Sequence, residues 1–481
     1  MSRCDIETGP VDERAAAPPV PAAAAPARRR GLVLGLACTA EGVVGLDTAI
    51  VNVAVPSIQH ELGVSHATVQ WVVVAYGLLL GGFLLFGGRM TDYLGRRRVF
   101  LAGFVIFSLA SLLAGAASEA GLLIAARGIQ GFGAALVAPA ALSLLAVTFT
   151  EGADRNRALG LFGAVGGAAG SIGVVASGLL TAGPGWRWAF FINVPIGVVV
   201  LVLAAAFLPR DSAVDRTTRL DTAGATTVTA GLLAFVYALQ HAAGHGWLSG
   251  TALVLFAVSA VLLGGFVLIE ARSAAPLVPP STLKNRTLVA ANVTAFLAFA
   301  TLLSYIFIGS LLMQQVLGFS PIRTGLSWLA TTVTVVVVAM NGARLIPLLG
   351  IRWVLVTGMS LVAVGAAWLA RVPAEASYVT DLLPSFLLAG VGFGLCGPAL
   401  QIGALSGVSE SATGLASGLV ETMREIGGAA GVAVVATVLV AGSGLAGFHT
   451  AFVLIAALGL LGVLAALAGF GGLTRWLRRT R

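Results

Sequence analysis

The sequence predicts an all-α polytopic membrane protein with 14 transmembrane helices, arranged as two six-helix bundles plus two central helices. Of its 481 residues, 58% are hydrophobic and only 10% are charged, whereas soluble domains carry about 25% charged residues. From Gly31 onward, apolar stretches follow one another with short polar breaks, and a helix needs roughly 20 mostly apolar residues to cross the hydrocarbon core. Lipid is therefore expected to be the solvent for most of the chain.

Basic residues between the predicted spans indicate the orientation. Cytoplasmic loops of membrane proteins carry an excess of Lys and Arg, and 23 of the 28 basic residues fall on the side of both termini while three fall on the other side. We therefore expect a multi-pass protein of the cell inner (plasma) membrane with both termini cytoplasmic. The predicted spans are residues 32–55, 69–88, 98–117, 121–148, 157–181, 188–208, 222–241, 250–270, 287–316, 324–343, 353–371, 380–402, 418–440 and 448–471.

An internal repeat divides the chain. The segment GRMTDYLGRRRV (Gly88–Val99) after the second span is partly echoed by ARLIPLLGIRWV (Ala343–Val354) after the tenth, which is typical of transporters built from related halves. A Pro- and Ala-rich stretch before the first span predicts a disordered tail. The expected divisions are a cytoplasmic tail (1–30), an N-terminal six-helix bundle (31–208), two inserted helices with cytoplasmic loops (209–286), a C-terminal six-helix bundle (287–471) and a basic cytoplasmic tail (472–481).

The sequence lacks the motifs of several other functional classes. The nucleotide-binding pattern GxxxxGK[ST] is absent, and the one lysine lies in TLKNR. No HExxH, GxSxG or Cys/His metal cluster occurs, and the three cysteines show no paired spacing. The arginines lie in short clusters between spans and not on one soluble basic face. We therefore expect no enzyme, cofactor, metal, nucleotide or nucleic-acid partner, and an ion gradient as the driver of any uphill transport.

The first span carries two acids, Glu41 and Asp47. An ionisable side chain inside the bilayer costs about 2.5 to 3.5 kcal/mol or more, so it seldom persists without a partner or a role. Six residues correspond to about 600° of helical rotation, so the two acids point to different faces. At most one is expected to face the central cavity, and Asp47 is favoured. The alternative for each acid is a hydrogen bond to a neighbouring helix and no more.

Other charged residues at membrane depth are candidate partners. Arg127 in the fourth span is the natural counter-charge for a first-span carboxylate, and Gln130 lies three residues on, on the same face. Near the start of the thirteenth span, Glu421, Arg424 and Glu425 are spaced to pair within one helix. The alternatives are a purely structural ion pair for Arg127 and interfacial solvation for the later group.

The loop GRMTDYLGRRR predicts a cytoplasmic gate. Gly88 and Gly95 permit close backbone approach, and Asp92 can meet a helix N-terminus or a nearby arginine. A topology signal alone would explain Arg96 and Arg97 but not the acid and the glycines.

Glycines repeat along the fifth span, including Gly173 and Gly178. Their small-xxx-small spacing allows helices to pack backbone to backbone. Simple packing is the alternative to a role in gating.

The motifs as a set resemble the fourteen-span drug:proton antiporters of the major facilitator superfamily, over nearly the whole chain from Gly31. The loop GRMTDYLGRRR resembles that family's signature between spans 2 and 3. In the fifth span the family usually has Gly-Pro and then Gly-Gly, whereas this chain has Gly173-Val174 and then Ser177-Gly178. The further similar segments are LDTAIVNVAVP (Leu46–Pro56), LIAARGIQGFGAA (Leu123–Ala135), GWRWAFFINVPIG (Gly185–Gly197), LLMQQVLGFSPIRTGL (Leu311–Leu326) and GLASGLVETMREIGGAAG (Gly414–Gly431).

This resemblance implies a monomeric proton-coupled antiporter that exports antibiotics or other small amphipathic drugs and confers resistance. It implies that Asp47 binds protons or cationic substrate, that Arg127 assists proton movement, and that Asp92 with Arg96 and Arg97 latches the cytoplasmic side. The chain looks like the self-resistance exporters of antibiotic-producing actinomycetes, with lincomycin as the first substrate to test. Proton-coupled nutrient or metabolite uptake, or a non-transporting membrane sensor or assembly protein, are the alternatives.

Overall fold

Long helices dominate a computed structural model that describes residues 27–149, 152–209, 221–273, 276–278, 284–342, 345–409, 412–442 and 444–470. Within these ranges, 13 helices are long and apolar enough to cross a membrane. They coincide with every predicted span except the fifth, so the expectation of a multi-pass membrane protein is confirmed. The predicted fifth span falls in a helix of 30 residues that is not among these 13, and the count of fourteen stays a prediction.

The helices before residue 208 form what we call the first half. The first begins four residues earlier than the predicted tail boundary, because arginine is a good helix former and continues the helix outward. The helices are α1 (Ala27–Leu62), α2 (His66–Leu94), α3 (Arg96–Gly115), α4 (Ala120–Thr148), α5 (Ala153–Ala182), α6 (Trp188–Phe191) and α7 (Asn193–Phe207).

An inserted pair and a second half follow. The side chains of Asp221, Ser249 and Asn285 cap three of these helices at their N-termini by accepting backbone N–H bonds. The inserted pair is α8 (Thr222–His245) and α9 (Gly250–Arg272), and the second half comprises α10 (Arg286–Leu311), α11 (Pro321–Gly342), α12 (Ile346–Leu369), α13 (Leu383–Leu405), α14 (Thr413–Ala441) and α15 (Gly444–Gly469), with π-helical turns at Leu312–Val316 and Tyr378–Leu382.

The two repeated loop segments share a backbone feature. Gly95 between α2 and α3 has φ 100°, and Gly350, at the same position of the echo, has φ 80° and breaks the helical path of α12. Such positive φ values favour glycine. The acid is not repeated, since Pro347 occupies the position that corresponds to Asp92. The two loops therefore share a turn but differ in chemistry.

The two halves meet along two seams. Helix α2 packs on α14 on one side, and α5 packs on α11 and α13 on the other. Helix α8 contacts both α2 and α14, so the inserted pair lies beside the first seam. The outward surface of α9 is apolar and open, with Val261 73% and Val267 63% exposed. A surface of this kind is suited to lipid and not to water.

Candidate functional site

Two buried clusters of charged side chains lie along α1. One surrounds Asp47 inside the first half, and the other surrounds Glu41 where the halves meet. The two acids lie on different faces of the helix, as the spacing predicts. They are separated by roughly 9 Å along the axis at 1.5 Å per residue.

Asp47 is the centre of the first cluster and has no exposed surface. Its Oδ2 accepts a hydrogen bond from Arg127 Nη1 at 2.5 Å, so the predicted ion pair is present. Its Oδ1 accepts from Gln130 Nε2 and Asn193 Nδ2, each at 2.8 Å. Gln130 and Asn193 also donate to Ser111 Oγ, at 2.6 and 3.3 Å. Donors from α4 and α7 thus satisfy both oxygens of one carboxylate on α1.

Arg127 is also enclosed. Its Nε donates to the carbonyl of Val72 at 3.0 Å and its Nη1 to Gln130 Oε1 at 2.7 Å. The guanidinium lies over the ring of Tyr76, 4.1 Å from the centroid, an arrangement that stabilises a cation. Because removal of either partner from a buried pair leaves an uncompensated charge, the two side chains depend on each other.

Asn193 and Ser111 complete the network and were not predicted from the sequence. Both are uncharged and fully buried. Sequence analysis singled out residues that are costly to bury because they are charged, and this criterion does not select Asn193 or Ser111. Asn193 Oδ1 has no hydrogen-bond partner within the described residues. A buried polar atom of this kind needs an explanation. The available signal was the position of Asn193 inside the segment GWRWAFFINVPIG.

Glu41 and Arg424 join the two halves. Arg424 Nη2 donates to Glu41 Oε1 at 3.1 Å, and its Nη1 donates to both oxygens of Glu421 at 2.6 Å. The guanidinium lies 4.3 Å from the ring centroid of Phe299 on α10. The pairing of Glu421 with Arg424 matches the predicted spacing within one helix.

Two further polar groups border this second cluster. Gln401 Nε2 on α13 donates to Glu421 Oε1 at 3.3 Å, while Gln401 Oε1 and Arg424 Nε are buried without partners among the described residues. Glu425 lies beside α2. A Cβ added to Gly81 of α2 would be 3.9 Å from the Cβ of Glu425. Among the described residues, the Arg424 guanidinium therefore contacts two carboxylates, Glu41 and Glu421, and Glu425 is the next residue of α14.

Asp47 lies in the interior of the first half, and its predicted exposure to the central cavity stays a prediction. The contacts of Asp47 come from α4 and α7 within the first half. Glu41 instead lies against Gly166 of α5 and bonds to α14 of the second half. Because the two positions face different sides of α1, Asp47 points into the interior of the first half and Glu41 points toward the second half.

Asp92, predicted in the loop between two spans, lies in the last turn of α2 because the helix continues to Leu94, and it connects α2 to the second half. Its Oδ1 and Oδ2 accept backbone N–H bonds from Gly414 and Leu415, each at 2.8 Å. These N–H groups belong to the first turn of α14, where the helix leaves donors unsatisfied and favours a negative charge. The predicted meeting of Asp92 with a helix N-terminus is therefore present, and the helix belongs to the opposite half.

Close approach of backbones accompanies this contact. A Cβ on Gly88 would lie 2.5 Å from the carbonyl oxygen of Gly414 and 2.9 Å from the Cα of Gly418. Only glycine fits at such a distance.

The two loop arginines lie in different places. Arg96 donates to Ser143 Oγ at 3.1 Å and to Thr413 Oγ1 at 3.3 Å, so it joins α3 to the start of α14. Arg97 Nη2 donates to the carbonyl of Ala205 at 2.6 Å and joins α3 to α7. The first arginine thus lies at the seam between the halves, and the second binds within the first half.

The predicted glycines of α5 pack on α1. A Cβ on Gly173 would lie 2.8 Å from both Ala49 Cβ and Leu46 O. Ser177, one of the departures from the family motif, donates to the carbonyl of Ile50 at 2.5 Å. The surroundings of Gly178 lie outside the described residues.

At the other end of the first half, Glu61 ties α1 to the loop before α6. It forms an ion pair with Arg187 and accepts from Trp186 Nε1 at 2.7 Å. Arg187 also donates to the carbonyl of Ala117 at 3.1 Å. The hydrogen bonds from Arg187 and Trp186 lower the pKa of Glu61 below its ordinary value of 4.5.

Comparison with known proteins gives the family. A model described as Major Facilitator Superfamily matches residues 37–432. The chain is 38% identical to the puromycin resistance protein pur8 of Streptomyces alboniger over 438 residues, covering 90% of this chain and 85% of that protein. It is 40% identical to the cephamycin export protein CmcT of Amycolatopsis lactamdurans, with 86% and 85% covered. It is 33% identical to the lincomycin resistance protein of Streptomyces lincolnensis, with 85% of each covered.

Solved structures agree on the fold. The human organic anion transporter MFSD10 superposes with a TM-score of 0.67 at 17% identity, covering 92% of this chain and 100% of that chain. A likeness at this identity concerns the fold alone. With the family model spanning most of the sequence, the comparisons and the helical architecture lead to one conclusion: the chain belongs to the major facilitator superfamily.

Proposed function

We propose that this protein is a proton-coupled antiporter that exports antibiotics or other small amphipathic drugs across the plasma membrane and confers resistance. The relatives named for puromycin resistance, cephamycin export and lincomycin resistance support export. The single structural observation that carries the proposal is the cluster of Glu41, Glu421 and Arg424 between the halves.

The charge count of this cluster favours exchange. Glu41 and Glu421 are 5% and 4% exposed, and a buried carboxylate that lacks a counter-charge is driven to take up a proton. One guanidinium compensates one of the two carboxylates that contact it. The remaining negative charge is compensated either by protons or by a cationic group on a substrate. A site that holds one or the other releases protons when a cation binds, which is the requirement for antiport.

Asp47 serves as the second proton site in this proposal. Protonation would weaken its pair with Arg127 and loosen the joint between α1 and α4. Because α1 also carries Glu41, a change at Asp47 is transmitted along one helix to the cluster between the halves. Arg127 would then assist proton movement by holding or releasing the carboxylate.

Alternating access requires a closed side. The contacts of Asp92 with Gly414 and Leu415 close the seam between α2 and α14 at the arginine-rich end of the bundle. We place that end, and both termini, in the cytoplasm, with the bundles at 31–208 and 287–471 and the inserted helices at 209–286. Release of this latch would open the cluster to the cytoplasm.

Binding measured against pH tests the shared site. Purified protein is titrated with puromycin, a lincosamide and a cephamycin at several pH values, and the protons released on binding are counted. The substrate that binds should release protons from the wild type, and Glu421→Gln should reduce that release by about one proton at equal occupancy. Glu61→Gln, far from the cluster, is the matched control. Binding that releases no protons from the wild type at any pH would contradict the shared site.

A further inference from the structure

An apolar groove lies on the outside of the first half, and none of its lining residues belongs to either charged cluster. Its volume is about 500 Å³. The lining residues of each helix follow the i, i+1, i+4, i+5, i+8 spacing of a single helical face. Those on α1 are Gly31, Leu32, Gly35, Leu36 and Thr39, and those on α7 are Pro195, Ile196, Val199, Val200 and Leu203.

The groove is open to the surroundings of the bundle. A Cβ added to Gly31 or Gly35 would meet no atom within 4 Å, and Val199 on the opposite wall is 56% exposed. Two glycines on one wall leave a channel where larger side chains would fill the space. Thr39 is the one lining residue with a polar side chain.

One end of the groove is basic. Arg29 lies two residues before Gly31, and its Nε donates to the carbonyl of Phe207, the last residue of α7, at 3.3 Å. Arg97 donates to Ala205 in the same last turn. Cations at a helix C-terminus satisfy its carbonyl groups. These bonds hold two guanidinium groups at the mouth of an apolar channel, and a guanidinium presents five donors in all.

We propose that this groove binds an anionic phospholipid, with one acyl chain between α1 and α7 and the phosphate at Arg29. The lining positions span eight residues on each helix, or roughly 12 Å, which is close to the depth of one leaflet of a hydrocarbon core about 30 Å thick. The groove begins directly beside the arginines that mark the membrane interface. A drug with polar groups along its length would find few partners on these walls, whereas an acyl chain needs none.

Native mass spectrometry of the delipidated protein tests this site. The protein is mixed with dioleoyl phosphatidylglycerol or dioleoyl phosphatidylcholine at equal concentrations, and the bound fraction is measured. The wild type should retain one phosphatidylglycerol molecule at least fivefold more tightly than phosphatidylcholine. Arg29→Gln should weaken the binding of phosphatidylglycerol about fivefold, since one basic residue near an anionic surface contributes about that factor in affinity.

Filling the groove provides the second arm. Gly35→Trp on one wall and Val199→Trp on the other should each remove the tightly held lipid. The matched controls are Gly264→Trp on the lipid-exposed surface of α9, where an added Cβ also meets no atom within 4 Å, and Arg272→Gln at the exposed end of that helix. Both controls should behave as the wild type. Equal retention of the two lipids, no effect of either groove-filling variant, or displacement of the lipid by an exported drug would each overturn the proposal.

Discussion

Asp47 has three side-chain donors on its two oxygens and no contact with solvent. Asp47→Asn preserves the shape and removes the charge, so Arg127 is left buried without its counter-ion. Breaking a buried pair in this way costs about 3 to 5 kcal/mol. We expect loss of proton-driven efflux and of drug resistance, together with lower thermal stability in detergent.

Ser111→Ala is the control for this substitution, because it removes one neutral partner and keeps every charge. It should cost about 1 kcal/mol of stability and leave proton coupling intact. Wild-type efflux from Asp47→Asn at equal expression would exclude Asp47 and transfer the proton site to Glu41 or Glu421.

The pairing of Asp47 with Arg127 was predictable because each is costly to bury and both lie at membrane depth. The contact of Glu41 with Arg424 was not, since it joins residues 383 positions apart and depends on how the halves meet. Asn193 was missed for a different reason. An uncharged amide carries little signal in an apolar segment, although a buried network needs its donor.

Helices α2 and α14 are held together by the close approach of Gly88 to α14 and by the carboxylate of Asp92. Gly88→Val should force the two helices apart, because its Cβ would overlap Gly414 and Gly418. The expected result is a more than tenfold loss of transport. A single cysteine at Leu84, which is 1% exposed, should become reactive to a water-soluble thiol reagent in a background without other cysteines.

Gly77→Val on the same helix is the matched control, since a Cβ there meets no atom within 4 Å. It should retain transport and leave Leu84→Cys protected. If Leu84→Cys stays unreactive and transport is unchanged in Gly88→Val, the segment Gly88–Arg98 serves only to set the orientation of the helices in the membrane.

The junction of α1 with the loop before α6 has a predictable pH dependence. A carboxylate whose pKa is lowered in the folded protein stabilises the fold above its unfolded pKa, and this contribution is lost as the pH falls through the folded value. For Glu61 the ordinary value is 4.5. The difference in melting temperature between wild type and Glu61→Gln should therefore be constant above about pH 5.5 and shrink below about pH 4.5. A difference that grows as the pH falls would contradict the assigned hydrogen bonds.

Helix existence followed from apolar length alone. The two repeated segments also share a turn, seen as positive φ at Gly95 and Gly350, which was not predicted. The sequence could not show that α8 bridges α2 and α14, because that placement depends on packing between surfaces that are apolar on every side. Helix α1 also begins at Ala27, before the predicted first span, because arginines next to an apolar stretch can continue its helix.

In the proposed exchange cycle, the cluster between the halves binds substrate or protons and the contacts of Asp92 with α14 close one end of the molecule. One charge moved through about 100 mV yields roughly 2.3 kcal/mol, which corresponds to about fifty-fold accumulation of substrate. A gradient of protons is therefore adequate to drive export. The reverse process, in which a substrate gradient drives protons, follows from the same cycle.

Countertransport in proteoliposomes tests whether substrate and proton movements are coupled. Vesicles of uniform orientation carry a pH-sensitive dye inside and no imposed pH gradient, and a substrate identified by binding is added outside. We expect inward flow of substrate to drive protons outward, so that the interior becomes alkaline, and we expect Asp47→Asn to abolish this signal. Acidification of the interior would show symport, and transport of substrate without any proton movement would show uncoupled flux; either result would contradict the proposed antiport.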